Sequence, residues 1–203
     1  MTGAERAYYE RRAAEYDDFY LGTGLFAPRA RPGWAEELEK LKAILSSLEF
    51  GSLLDVACGT GFLTACFRGT VMGLDQSAAM LAVARSRIAR ASFLRGDALA
   101  LPFPPKQFDC LAAGHFYGHL DSEMRARFLD EARRVSKSIL IIDAAQREGV
   151  PPEEFQQRVL NDGTRHTVYK RYFTPEQLTA ELGRGRTLHA GRWFIAALAS
   201  EPV

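Results

Sequence analysis

The residues best placed to do chemistry lie between positions 53 and 61, Leu53-Leu54-Asp55-Val56-Ala57-Cys58-Gly59-Thr60-Gly61, where an apolar run ends in a glycine turn. Glycine at such a turn lets backbone come into contact with a ligand. The helix expected to open at Phe62 would present free N–H groups to a carboxylate or phosphate. Asp75 follows 16 residues after Gly59, at the end of the next apolar run, where a carboxylate can accept both hydroxyls of an adenosine ribose. Asp97 ends a third run and is placed to accept from an adenine amino group. Either acid alone also fits a helix cap or a solvated loop; the two together with the glycine turn narrow the ligand to a nucleoside. The dinucleotide pattern GxGxxG fails, because Thr64 stands where its third glycine would be.

A second group of reactive side chains sits in His115-Phe116-Tyr117-Gly118-His119. Histidine titrates near neutral pH and suits a general base, a contribution worth about 10²–10⁴-fold. His119 fits equally a packing role at the start of the next helix. Asp143 is a lone carboxylate without partners for a metal, so no metal is expected.

These residues need a scaffold, and the order of elements supplies one. An amphipathic helix is expected over 4–20 and a second from Trp34 to Leu48. Strands at Ser52–Cys58, Val71–Asp75, Ser92–Asp97, Phe108–Gly114 and Ser138–Ala144 then alternate with helices, one capped by Ser77 and one by Asp121. Thr174, Pro175 and Gln177 form a capping box with Pro at the first helical position, and Gly183 ends that helix. Arg186–Ala199 reads as two short strands turning near Gly191. Near-continuous apolar strands between helices imply a parallel sheet covered on both faces. The expected fold is α/β, a Rossmann-like doubly wound sheet, mostly parallel with an antiparallel C-terminal strand. One domain spans 1–203, with an N-terminal helical cap (1–48) and an insertion over the sheet edge (146–173) that includes a helix-like stretch.

Composition narrows the partners. In 203 residues, 26 Lys plus Arg nearly balance 25 Asp plus Glu, and the net charge of +1 argues against nucleic acid. Cys58, Cys66 and Cys110 are odd in number, lack a CxxC spacing and lie in apolar runs, as buried thiols of a reducing compartment do. No apolar segment approaches the ~18 residues of a membrane span, and the N-terminus does not resemble a signal peptide; a cytoplasmic protein is expected. Oligomeric state is not legible.

Across most of its length the sequence resembles the class I S-adenosylmethionine-dependent methyltransferases, in particular the small-molecule branch with the ubiquinone and menaquinone enzymes. LLDVACGTG is similar to that family's first motif, GLDQSAAML to its second, and GDALALPFPPKQFDCLAAG to the region through the fourth strand. YYERRAAEYD resembles an N-terminal helix that closes over the cofactor, and TVYKRYFTPEQLTAELG the late-strand region. Ala57 departs from the glycine many members carry. The resemblance implies methyl transfer from S-adenosylmethionine, with S-adenosylhomocysteine as product, to a small molecule. It implies that Ala57, Gly59 and Gly61 contact the methionine part and that Asp55 stabilises the loop. Asp75 would hold the ribose, Gln76 and Met80 flank the adenine, and Asp97 and Ala98 meet its amino edge. Gly114 and His115 would face the sulfonium, with Tyr16 above. His115 and His119 are the candidate catalytic residues. Ala113-Gly114-His115-Phe116 lacks the Asn/Asp-Pro-Pro-aromatic motif of amide and adenine methylators. A cofactor-binding module without turnover and a nicotinamide-dependent oxidoreductase are the alternatives.

Overall fold

A computed structural model describes residues 3–183 and 185–200, and the side chains from residue 7 onward within them. Seven strands form one sheet: β1 (Ser52–Val56), β2 (Thr70–Asp75), β3 (Ser92–Arg95), β4 (Phe108–Gly114), β5 (Ser136–Ala144), β8 (Gly185–Ala190) and β9 (Phe194–Ser200). A separate antiparallel hairpin consists of β6 (Glu153–Val159) and β7 (Arg165–Arg171). The sheet order is β3-β2-β1-β4-β5-β9-β8; β1, β2, β3, β4 and β5 pair in parallel, and β9 runs antiparallel to both neighbours. This is the expected doubly wound sheet with its antiparallel C-terminal strand.

Side-chain alternation explains why both faces need helices. Leu54, Leu111, Ile139 and Ile195 lie in one buried cluster with Phe128 of helix α5 (Ser122–Val135) and Leu178 of α6 (Pro175–Leu182). Their immediate chain neighbours Leu53, Ala112, Leu140 and Phe194 lie in a second cluster with Leu38, Leu41 and Leu45 of α3 (Trp34–Ser47). Successive residues of a strand point to opposite faces, so every central strand is apolar on both sides. Helix α4 (Ala78–Arg87) packs by β2 and β3.

Three expectations need correction. The helix expected from Phe62 is only one 3-10 turn, Thr64–Cys66. After the glycine turn, a helix over the remaining Phe62–Arg68 would rise only about 10 Å. Recrossing β1 takes about 16 Å, so turns and one short 3-10 segment, extended from Phe67, replace the helix. The expected helix over 4–20 is broken into α1 (Gly3–Arg12), a 3-10 turn (Ala13–Glu15) and α2 (Asp18–Leu21). The helix-like stretch expected in 146–173 is the β6–β7 hairpin, where alternate residues face solvent.

Acidic side chains fasten the peripheral pieces. Glu10 accepts from the amides of Ala78 and Ala79 in the first turn of α4, at 2.8 and 3.0 Å, where the helix dipole favours a negative charge. Asp17 pairs with Arg87 and accepts from the Thr60 hydroxyl at 2.6 Å. Glu37 of α3 accepts from the amides of Arg192, Trp193 and Phe194 and faces His189, pinning the β8–β9 turn. Removing an acceptor that serves several amides costs about 1–3 kcal/mol. Glu37→Ala is therefore expected to lose stability of that size in chemical denaturation, with the circular dichroism of the native state unchanged.

Candidate active site

The chain ends of β1, β2 and β4 open onto a crevice beside β1, where the strand order reverses; doubly wound folds place ligands at such a point. Its lining includes Tyr16, Ala57, Gly59, Asp75, Gln76, Met80, Ala98, Gly114 and His115, nine of the residues singled out from the sequence. Asp75 organises it. One carboxylate oxygen accepts from the Gly59 amide at 2.9 Å and the other from the Ser77 amide at 2.8 Å. Burial pushes this carboxyl above its ordinary value, against the pull of the Ser77 and Gly59 amides.

The walls hold their shape at a conformational cost. Ala57 and His115 adopt positive φ, 55° and 53°, in a region that L side chains rarely enter; strained backbone of this kind clusters at functional sites. A glycine in place of Ala57 would sit there without that cost, which accounts for glycine being the residue many members of the family carry at this position. Gly59, at φ 55°, lies under the Tyr16 ring, and a Cβ there would come 3.4 Å from Tyr16 Cε1. At Gly114 a Cβ would meet Leu63 Cδ1 at 2.7 Å. Two buried polar atoms in the lining, Gln76 Oε1 and His115 Nε2, have no hydrogen-bond partner.

Three expected contacts lie elsewhere. Asp55 is buried beneath the crevice, where it accepts from the Thr64 hydroxyl at 2.5 Å and lines a small adjoining pocket. Gly61 packs against α4; a Cβ there would collide with Ile88 Cδ1 at 2.8 Å. Asp97 is exposed and accepts from the Leu99 amide at 3.0 Å, closing its own turn. Phe116 completes the lining together with Tyr9, Leu74, Ser77 and Gly96, four residues not picked out as site residues. Ser77 and Gly96 had a usable signal, since each adjoins a strand-end acid. Tyr9 had none beyond its place in the N-terminal helix.

A larger chamber of about 300 Å³ adjoins the crevice and shares Tyr9, Tyr16 and His115 with it. His119 lines this chamber rather than the crevice. Its Nδ1 stands 2.7 Å from the Tyr169 carbonyl, which can only accept, so Nδ1 carries the proton and Nε2 is the acceptor. Burial lowers both histidines, His115 to about 4 and His119 well below its usual value, so both are neutral near pH 7. Asp143, at the end of β5, accepts from the Gly118 amide at 2.7 Å and pairs with Lys170 of β7, joining the hairpin to the histidine loop. Burial pushes Asp143 up, but Lys170 and His115 carry it below the ordinary carboxylate range. Among the aromatic side chains, Phe19 and Tyr172 face the chamber and Phe116 the crevice. Tyr20 and Tyr117 are buried in the core.

The fold is the Rossmann-like fold of class I methyltransferases. Residues 54–141 match the family described as a methyltransferase domain, which bears out the resemblance first visible in LLDVACGTG. A 2-phytyl-1,4-naphtoquinone methyltransferase of Thermosynechococcus vestitus is 44% identical over 71 residues, 30% of this chain and 32% of that protein. A demethylmenaquinone methyltransferase of Shouchella clausii is 38% identical over 97 residues, 42% of this chain and 40% of that protein. The aligned part thus spans a third to two fifths of these relatives. Among solved structures, the DhpI-SAM-HEP complex superposes with a TM-score of 0.74 at 22% identity, covering 98% of both chains.

Burial is the main reason the Asp55 carboxyl is raised to about 7, with the Thr64 hydroxyl opposing it. The native state holds this proton more tightly than the unfolded chain, where the value is about 3.9. Its contribution to stability is therefore complete below about pH 4 and lost as pH rises through about 7. Asp55→Asn is expected to flatten the fall in melting temperature between acidic and mildly alkaline buffer. A parallel curve for the variant would assign the proton elsewhere. Ala57→Gly, which relieves the left-handed strain of about 1–2 kcal/mol, is expected to melt at or above the parent temperature.

Proposed function

We propose that this chain transfers the methyl group of S-adenosylmethionine to a small-molecule acceptor, releasing S-adenosylhomocysteine. The observation that carries the reading is the crevice around Asp75: a glycine cradle on one side and two unpartnered buried polar atoms, Gln76 Oε1 and His115 Nε2, on the other. A nucleoside with a polar amino-acid tail meets both needs. Asp75 would accept from the ribose hydroxyls through lone pairs not used by Gly59 and Ser77. Gln76 and Met80 would flank the base, with Ala98 at its edge. Ala57, Gly59 and Gly114 leave room for the methionine chain, and Asp55 holds the loop through Thr64. Asp97 stands outside the crevice lining and keeps a second carboxylate oxygen beyond the one on the Leu99 amide, and Gly61 acts through its packing on α4.

The cofactor supplies an activated methyl on a sulfonium, so this chain's residues have to align the partners and exclude water. Alignment of this kind contributes about 7–11 kcal/mol. Tyr16 and Tyr9 stand at the junction between crevice and chamber, where a methyl would cross. His115 at that junction and His119 in the chamber are the candidate bases, each neutral and able to accept a proton. The Tyr16 ring rests against Gly59 and narrows the crevice to about 50 Å³. Cofactor entry requires that ring and its segment to move, in keeping with a cap over residues 1–48. The 146–173 insertion supplies the far wall of the chamber. Among the described residues no helix is long and apolar enough to cross a membrane. With three free cysteines, two of them buried, a cytoplasmic setting fits.

Titration calorimetry with S-adenosylhomocysteine is expected to show saturable binding. Asp75→Ala, which removes a charge-assisted contact, is expected to weaken it by at least about 1 kcal/mol. Binding of NAD in place of the adenosyl ligand would overturn the reading. Release of S-adenosylhomocysteine across a panel of acceptors separates an enzyme from a binding module.

A further inference from the structure

The chamber beside the crevice is cationic on every side. Arg12 comes from the N-terminal segment, Arg29 and Arg31 from the connection before α3, Arg147 from the loop after β5, and Arg158 and Lys170 from the hairpin. Not one carboxylate lines it. Asp143 neutralises Lys170 from behind. Among the described residues, no acid pairs with any of the five arginines. Arg12, only 6% exposed, donates to the Tyr8 hydroxyl and faces the Tyr16 ring. Arg158 donates to the Gln156 side-chain carbonyl, and Arg31 to the Phe19 carbonyl at 2.7 Å. Arg29 and Arg147 lie over aromatic rings, Phe26 at 4.5 Å and Trp193 at 4.8 Å from ring centroids.

A guanidinium stays charged in proteins; Arg12 is buried, Arg31, Arg147 and Arg158 are half-buried and Arg29 is exposed at the chamber's rim, so the cost of a missing counter-ion falls chiefly on Arg12. The mutual repulsion is felt: Arg29 and Arg31 are lowered by burial first, Arg29 further by Arg158 and Arg12, and Arg31 by Arg29. Four separate stretches of chain converge to make this arrangement, whereas the whole protein is close to neutral, 26 basic against 25 acidic residues. Guanidinium forks match the planar or tetrahedral oxygens of carboxylates and phosphates.

We infer that the acceptor is an anion: a small molecule with a carboxylate or phosphate-type group that the chamber arginines hold while its acceptor atom faces the crevice. This rests on the methyl-transfer reading and sharpens it. The aromatic rings of Phe19, Phe26 and Trp34 line the same chamber and take the apolar part. Arg29 and Arg158 are specificity-determining residues, and neither lines the cofactor crevice.

The test is calorimetric titration of the full chain loaded with S-adenosylhomocysteine, using benzoate and phenyl phosphate, with benzamide and benzyl alcohol as uncharged controls. At least one anion is expected to bind about tenfold more tightly than its control, the size of one charge-assisted hydrogen bond, and which one does so distinguishes carboxylate from phosphate. The double variant Arg29→Gln/Arg158→Gln is expected to lose that preference while keeping its S-adenosylhomocysteine affinity and its circular dichroism. Equal binding of anion and control, or no binding of either anion, would overturn the inference. So would loss of cofactor affinity with the preference intact, which would assign these guanidiniums to the cofactor's own carboxylate. Should the parent chain not bind S-adenosylhomocysteine, the methyl-transfer reading fails by itself, and the same titrations on the unloaded chain still decide whether the chamber selects anions.

Discussion

The carboxylate of Asp75 holds three pieces of chain at one point. Its two oxygens accept from the first glycine of the loop after β1 and from the residue that caps α4, while its own backbone ends β2. Without it, the β1 loop and the start of α4 would have no common partner, and the gap between them would lose its width. The cost is a half-buried carboxylate, which the fold tolerates because two amides face it. Everything else in the crevice is arranged around that fixed edge.

The sheet supplies the rigidity that such an edge needs. Because β1, β4, β5 and β9 are apolar on both faces, their loops hang from strands gripped by α3 on one side and by α5 and α6 on the other. Strain can then be stored at Ala57 and His115 without being relaxed away. The Asp143–Lys170 pair extends the same support outward, fixing the β6–β7 hairpin to the loop that carries both histidines.

How much of this was legible in the sequence depends on the range of the interactions. Strand runs such as SILIIDA, the Ser77 and Asp121 caps and the capping box at Thr174 are local, and they stand where expected. The crevice was legible because its parts lie at strand ends, where topology alone brings them together. The helix after Gly61 was not, since its absence follows from the few residues left to recross the sheet. Asp97 carried the right type at a strand end, yet it is exposed, outside the crevice lining, with one oxygen closing its own turn. The hairpin was misread in part because its alternation, EEFQQRV, mixes long polar side chains with a single aromatic. The chamber was invisible: no spacing rule links Arg12, Arg29 and Arg158, which meet only through tertiary packing.

Tyr8 belongs to a small cluster with Leu160 and Val168, separate from the two main cores, and Glu10 clasps the start of α4. The first helix therefore leans on the hairpin on one flank and on the start of α4 beside the crevice on the other, and among the described residues Tyr8 and Tyr9 pack in this small cluster, apart from the two central ones. Because Tyr9 forms a wall common to both compartments, the crevice and the chamber meet at a side chain carried by that helix, and its position sets the shape of both.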